Sequence, residues 1–309
     1  MRIVRFTPNE SVGIGSDPHF GVLNDNDQIL VLKGDPLFSG IVPTETKVAL
    51  KDVKLLAPII PRSKVVCIGK NYADHAAEMD SVVPEEPIIF LKPNTSVIGP
   101  NDTIQWPRMS DRVDFEGELA IVISRICKDV PKERFADVIF GYTIANDVTA
   151  RDLQKKDGQW TRAKGFDTFC PIGPWVETDY LPGEQIISTK VNGEVKQSEP
   201  LSSMIFKVPE IIAFVSQVMT LLPGDVILTG TPAGIGPMAG RQRRYFVSMM
   251  VRTACFISTI FLPNPYRWFA MAGAVFLPYI AVVIANAGRE TITGKNAIMN
   301  NQRRQITEG

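Results

Sequence analysis

Residues 113–123, VDFEGELAIVI, combine a run of Val, Ile, Leu and Phe with two glutamates two positions apart. Successive side chains of a strand point to opposite faces, so Glu116 and Glu118 share one face while Leu119, Ile121 and Ile123 take the other. Two carboxylates side by side repel unless one is protonated or a cation lies between them. The alternative is an exposed strand face on which both are solvated. Asp147 ends the apolar run of GYTIANDVTARD (141–152) and reads either as a further ligand or as part of an Asn-Asp turn or helix cap. Glu116, Glu118 and Asp147 together, without Cys or His, would make a hard, all-oxygen site suited to Mg²⁺, Mn²⁺ or Ca²⁺.

A second unit lies in IGKNYADHAAEM (68–79), where His75 and Glu78 are three apart and share a face of a short helix. A carboxylate beside an imidazole orients it and raises its basicity, which suits proton abstraction from water; a surface His with a solvated Glu is the alternative. Lys92 in FLKP and Lys164 in TRAKGFDTFCP stand among apolar residues, as core covers or as anchors for an anionic substrate. ILTGTPAGIGP (227–237) ends a strand in a Gly-rich loop where Thr231 could hydrogen-bond a carboxylate. That loop lacks the GK[ST] of a P-loop, so nucleotide binding is a weak alternative.

These residues need strands to hold them. PIIFLKP and VVCIG are continuous apolar runs bounded by Pro and Gly, as core strands are. HFGVL and QILVL flank NDND, and KVNGEVK carries Asn192-Gly193 between alternating residues; both predict tight hairpins. VPEIIAFVSQVMTLLPGD (208–225) predicts a helix that Pro209 opens and Pro223-Gly224 ends. The expectation is a β-rich α+β fold, with a small β unit over 1–58 and a second unit over 64–238.

The chain has 309 residues, 45% hydrophobic and 21% charged, with a formal net charge of zero, so it presents no basic footprint for nucleic acid. Four scattered cysteines without a C-x-x-C pair, and two histidines, give neither a disulfide framework nor a zinc site, which points to a reducing compartment. MRIVRFTPNE lacks the apolar core of a signal peptide.

Composition changes after GTPAGIGPM. The runs 245–262 and 268–287 predict a two-span membrane hairpin over 241–289, followed by a polar tail over 290–309. Arg252 weakens the first span, and a buried soluble hairpin is the alternative. Arginines 241, 243 and 244 on one side and Arg289, Lys295, Arg303 and Arg304 on the other outnumber Arg267 in the connection. That bias puts both termini in the cytoplasm and the preceding unit at the inner face of the cell membrane.

IGKNYADHAAEM, PIIFLKP, VDFEGELAIVI, GYTIANDVTARD, KGFDTFCPIGPWV, VNGE, SSMIFKVPEIIAFVS and LTGTPAGIGP, in this order over about residues 64–237, resemble the catalytic domain of the fumarylacetoacetate hydrolase family. The resemblance implies a mixed β roll with a divalent metal, Mg²⁺ or Mn²⁺, held by Glu116, Glu118 and Asp147. It implies His75 and Glu78 as the pair that activates water, on a segment able to close as a lid. It gives Lys92, Gln154, Lys164 and Thr231 positions that bind or polarise substrate, with Lys164 stabilising enolate charge. The leading expectation is C–C bond hydrolysis of an acylpyruvate- or fumarylacetoacetate-like acid. An oxaloacetate-type decarboxylase and a hydroxymuconate or hydroxyheptadienedioate isomerase share the enolate and are the alternatives. Homodimers are common in the family. Family members continue past GTPAGIGP with further strands, whereas here MAGRQRRYFVSMM takes over and resembles a small two-span actinobacterial membrane family. A chimeric or inactive membrane-anchored protein with a truncated enzyme domain is therefore the reading of another class.

Overall fold

Turn residues decide where the first strands stop. Asn24 Oδ1 accepts the N–H groups of Asn26 and Gln28 at 3.0 and 2.9 Å, and Asp27 adopts a φ of 54°. This closes the hairpin that NDND predicts. The computed structural model describes residues 1–238 and, beyond them, positions 250, 253–254, 256–259, 263–264, 266, 268 and 271. The chain runs through β1 (Arg2–Pro8), β2 (His19–Leu23), β3 (Gln28–Leu32), the one-turn α1 (Pro36–Ser39), β4 (Pro43–Ala49) and β5 (Val53–Leu56). Next come β6 (Val65–Gly69), α2 (Ala73–Glu78), β7 (Ile88–Lys92) and β8 (Val97–Ile98). β9 (Val113–Phe115), β10 (Gly117–Ile123), β11 (Ile139–Asn146) and β12 (Thr149–Ala150) lead into α3 (Arg151–Asp157) and α4 (Thr161–Lys164). β13 (Cys170–Glu177), the hairpin of β14 (Ile186–Val191) and β15 (Glu194–Pro200), α5 (Val208–Val218), β16 (Val226–Leu228) and β17 (Gly236–Pro237) follow.

Ten strands form the main path of one sheet, in the order β4-β3-β2-β1-β13-β11-β10-β16-β6-β7. The N-terminal strands join it through β1, whose Arg2 and Ile3 lie opposite Glu177 and Val176 of β13. β16 pairs with β6 in parallel, and β10 pairs antiparallel with both β11 and β16. Alternation on β10 fills two cores. Leu119, Ile121 and Ile123 pack with Val66, Ile68 and the α5 residues Ile211, Ile212 and Val215, while Ala120 and Val122 pack with Val65, Cys67, Ile172 and Leu228 on the other face.

Two predicted elements are shorter than the sequence pattern suggests. VDFEGELAIVI is two strands in different sheets, because the chain breaks at Glu116: its N–H goes to Asn146 Oδ1 at 2.9 Å and its carbonyl accepts the Asp147 N–H at 2.8 Å. The helix expected over 208–225 ends at Val218. Leu221 instead exchanges backbone hydrogen bonds with Cys127 at 2.9 and 3.0 Å, and Gly224 turns the chain with a φ of 85°. Among the described residues no helix is long and apolar enough to cross a membrane. The hairpin expected over 245–287 falls mostly outside the described residues.

One close approach fixes how the β14–β15 hairpin sits on the glutamate segment. Asn192 and Gly193 both have positive φ, 53° and 84°, as the two-residue turn requires. The hairpin's Thr189 then lies so near Gly117 that a Cβ there would be 2.2 Å from Thr189 Oγ1. Gly117→Ala is expected to lower the unfolding free energy by about 1–3 kcal/mol. Adding Thr189→Ala is expected to restore part of it. Urea melts of the single and double variants check this, and an unchanged single-variant midpoint would mean the hairpin shifts freely.

Candidate metal centre

Breaks in the strands deliver the carboxylates to one point. Glu116 stands at the break between β9 and β10, Glu118 is the second residue of β10, and Asp147 follows the last residue of β11. One carboxylate oxygen from each lies within 4.8 Å of the others, and all three side chains are buried. Gly230, at φ 99° in the loop after β16, donates its N–H to Glu118 Oε2 at 2.7 Å.

Three buried cations face these three carboxylates. Lys164 Nζ bridges Glu116 Oε2 at 2.8 Å and Asp147 Oδ2 at 2.5 Å. Lys92 Nζ donates to Asp147 Oδ1 at 2.6 Å and to the Val148 carbonyl at 3.2 Å. The Arg151 guanidinium contacts Glu116 and donates to Asp114 Oδ2 at 3.1 Å and Gln154 Oε1 at 2.6 Å. Asp114 is also gripped by Arg112 through a two-point fork at 2.9 and 3.0 Å.

The cations are unequally shared. Burial alone would raise the Glu116 carboxyl, but Lys164 and Arg151 outweigh it and hold the group well below the usual range. Glu118 has no ion-pair partner among the described residues. Burial, reinforced by Asp147 and Glu116, pushes its carboxyl well above the usual range. Burial also lowers the His75 imidazole below its ordinary value, against the pull of Glu116 and Glu78. His75 Nδ1 lies 3.5 Å from Glu78 Oε2, too long for a formed hydrogen bond, and the Glu78 carboxylate accepts the Gly234 N–H at 3.2–3.3 Å.

A cavity of about 180 Å³ opens onto this centre and brings together Glu116, Glu118, Asp147, His75, Lys164, Gln154 and Thr231 in its wall. Two of the sequence-predicted residues sit differently from the rest. Lys92 is not in the cavity wall, because its ammonium lies against Asp147 and the Val148 carbonyl. Glu78 is also outside the wall, beside His75. Thr231 is in the wall, but its hydroxyl donates to the Gly117 carbonyl at 2.9 Å and accepts from Gln197 Nε2 at 2.8 Å.

Sequence reasoning missed Arg151, Gln197 and Trp160. Arg151 sits three residues before Gln154 on α3, a signal readable only once that helix is placed. Gln197 is fully buried and ties the β15 strand to Gly117 N–H at 3.0 Å, to Thr231 and to the Pro232 carbonyl at 2.8 Å. Nothing in EVKQSEP distinguishes it from a solvated strand residue. Trp160 packs edge-on to Phe90 with centroids 5.2 Å apart and leaves no room for a Cβ at Gly69, 2.6 Å from its ring.

The donor set fits a hard dication. It is all carboxylate oxygen, converges within 4.8 Å, and includes Glu118, a buried carboxylate without a counter-ion of its own among the described residues.

A model of the fumarylacetoacetate (FAA) hydrolase C-terminal family matches residues 64–260. An Rv2993c-like N-terminal family matches residues 1–58, and a family described only as a protein of unknown function, DUF3099, matches residues 235–292. The chain is 58% identical over 208 residues to Protein Rv2993c of Mycobacterium tuberculosis, covering 66% of this chain and 76% of that protein. It is 47% identical over 190 residues to the mitochondrial oxaloacetate tautomerase fahd2 of Xenopus laevis, covering 60% of each. Its structure matches that of 5-carboxymethyl-2-hydroxymuconate delta-isomerase from Mycobacterium smegmatis with a TM-score of 0.69 at 50% identity, over 77% of this chain and 90% of that one.

Glu118→Gln removes the one uncompensated carboxylate and keeps its shape and its Gly230 contact. The metal-free variant is expected to be about as stable as the parent, since burial already favours the neutral acid at Glu118 and glutamine replaces it with another neutral group. Its Mn²⁺ affinity is expected to fall by more than the roughly 10- to 100-fold that follows loss of a group merely supporting a ligand. Calorimetric titration and thermal melting check both; undiminished Mn²⁺ binding would place the ion elsewhere.

Proposed function

Because the chain belongs to the fumarylacetoacetate hydrolase family, we propose that it is a divalent-metal-dependent enzyme, using Mg²⁺ or Mn²⁺, that moves a proton within a small 2-oxo acid. The reaction is enol–keto tautomerisation or double-bond isomerisation. The observation that carries the reading is one pocket holding three buried carboxylates, the buried Lys164 ammonium and the His75 imidazole. Hydrolysis, the leading expectation from sequence, gives way to its isomerase alternative. Relatives at 47% and 50% identity are named tautomerase and isomerase, and proton transfer through an enolate needs no water nucleophile.

Glu116, Glu118 and Asp147 would hold the cation, which when bound supplies Lewis acidity toward the substrate's carboxylate and 2-oxo oxygens. Glu78, 3.5 Å from His75 Nδ1, would favour the tautomer protonated there once the two close to hydrogen-bond distance, leaving Nε2 as the basic nitrogen. A neutral His75 takes the proton from carbon or enol oxygen and returns it at the other position, so the reaction is balanced without a co-reactant. Lys164 places a fixed positive charge in the wall where negative charge develops on the substrate oxygen. Gln154 Oε1 is committed to Arg151, which leaves its amide N–H₂ as a donor toward a substrate carboxylate. Lys92 holds Asp147, and Thr231 with Gln197 holds Gly117, so both act by positioning the ligands.

The full chain with Mn²⁺ is expected to accelerate decay of the enol band of oxaloacetate more than hydrolysis of acetylpyruvate. The reverse preference would restore hydrolysis. A base whose folded pKa is lowered is free above that value and is lost as pH falls through it. The rate is therefore expected to hold from neutral pH down past the usual imidazole value of about 6.5 before declining. His75→Gln is expected to lower kcat by about 10²–10⁴ and to keep Mn²⁺ binding.

A further inference from the structure

Two lysines line the pocket without an ion-pair partner. Lys164 in the same wall is held by Glu116 and Asp147, whereas Lys70 and Lys155 pair with no carboxylate among the described residues. Their positions are built. Arg151, Gln154 and Lys155 fall at i, i+3 and i+4 along one face of α3. Lys70 leaves β6 with a φ of 57°, in the left-handed region that non-glycine residues avoid. The next residue locks that turn. The Asn71 amide donates to the carbonyls of Phe206 and Thr229 at 3.0 and 2.7 Å and accepts the Phe206 N–H at 2.7 Å, while its backbone carbonyl accepts the Ile205 N–H at 2.8 Å. An outlying backbone conformation held this firmly next to a pocket is the kind of strain that folds keep at binding sites.

Exposure orders the cavity. Glu116, Glu118, Asp147 and Lys164 are buried, Lys70 is half-buried and Lys155 exposed, so the two unpaired ammonium groups mark the solvent end. At the closed end Lys92, Lys164 and Arg151 are already committed to Glu116, Asp147 and Asp114. Lys70 and Lys155 have no such partner among the described residues, which leaves them available to an anion arriving from solvent.

We propose that Lys70 and Lys155 form a second anion subsite, which receives the distal carboxylate of a dicarboxylic 2-oxo acid. This rests on the 2-oxo acid reading above, in which the first carboxylate and the oxo group bind at the closed end. The test is calorimetric titration of the Mn²⁺-loaded full chain with 2-oxoglutarate and with 2-oxopentanoate, which share a five-carbon skeleton and differ in the distal carboxylate. The parent is expected to prefer the diacid by about tenfold or more, the size of one or two charge-assisted hydrogen bonds. Lys70→Met/Lys155→Met is expected to bring the ratio near one, and Lys70→Arg/Lys155→Arg to retain it. A preference that survives neutralisation, or that is absent from the parent while both acids bind, overturns the subsite and leaves the 2-oxo acid reading standing. Binding of neither acid overturns both.

Discussion

Repulsion among Glu116, Glu118 and Asp147 is the constraint around which the structure is arranged. Carboxylate oxygens within 4.8 Å of one another repel by about 3–4 kcal/mol per pair at an effective dielectric near 20. All three ionised at once would oppose folding by about 10 kcal/mol, comparable with the roughly 5–15 kcal/mol of a whole domain. This repulsion adds to the burial that pushes the Glu118 carboxyl well above its usual range. Lys164, Lys92 and Arg151 are therefore conditions of the fold as well as parts of the site. Lys164 matters most because it alone bridges two of the three. Taking one partner from a buried pair costs about 3–5 kcal/mol, a large fraction of total stability.

Those cations arrive from separate elements, which explains why so much of the chain converges here. Lys92 ends β7, Arg151 opens α3 and Lys164 ends α4, while the carboxylates come from the β9–β10 and β11–β12 breaks. Backbone donors complete the arrangement. The Gly-rich loop after β16 turns the N–H of Gly230 to Glu118 and that of Gly234 to Glu78, so one loop reaches both the carboxylate cluster and the imidazole's partner. Gln197 then ties the β15 strand to Gly117 and Thr231. The segment carrying the glutamates is held from both sides, without regular strand pairing at Glu116.

The sequence showed what local chemistry determines. NDND and Asn192-Gly193 specify hairpins because few residues accept positive φ, and both turns form where predicted. Alternation along 117–123 specifies which residues enter which core. What it did not show depends on distant contacts. The strand break at Glu116 is set by Asn146, and the early end of α5 by Cys127 pairing with Leu221. Lys92 was readable as a buried cation, but its attachment to Asp147 rather than to the cavity depends on β7 docking beside β6. Gln197 carries no local signal, because its burial comes entirely from the hairpin folding onto Gly117.

Charge also links the site to what it can accept. Glu116, Glu118 and Asp147 equal Lys92, Lys164 and Arg151 in number, although Glu118 has no partner of its own among the described residues. A dication held there would leave the closed end net positive, with Lys70 and Lys155 carrying the same sign toward solvent. On the proposed reading such a pocket would favour a dianion, matched at both ends, over a neutral or cationic molecule. His75 is consistent with this field. Burial disfavours its protonated form and Arg151 adds to this, while Glu116 and Glu78 pull the other way without overcoming it. On the proposed reading, burial and Arg151 would thus keep the imidazole free to take a proton from an anionic acid. Binding and base strength draw on one electrostatic arrangement, so a change to the buried cations would alter both at once.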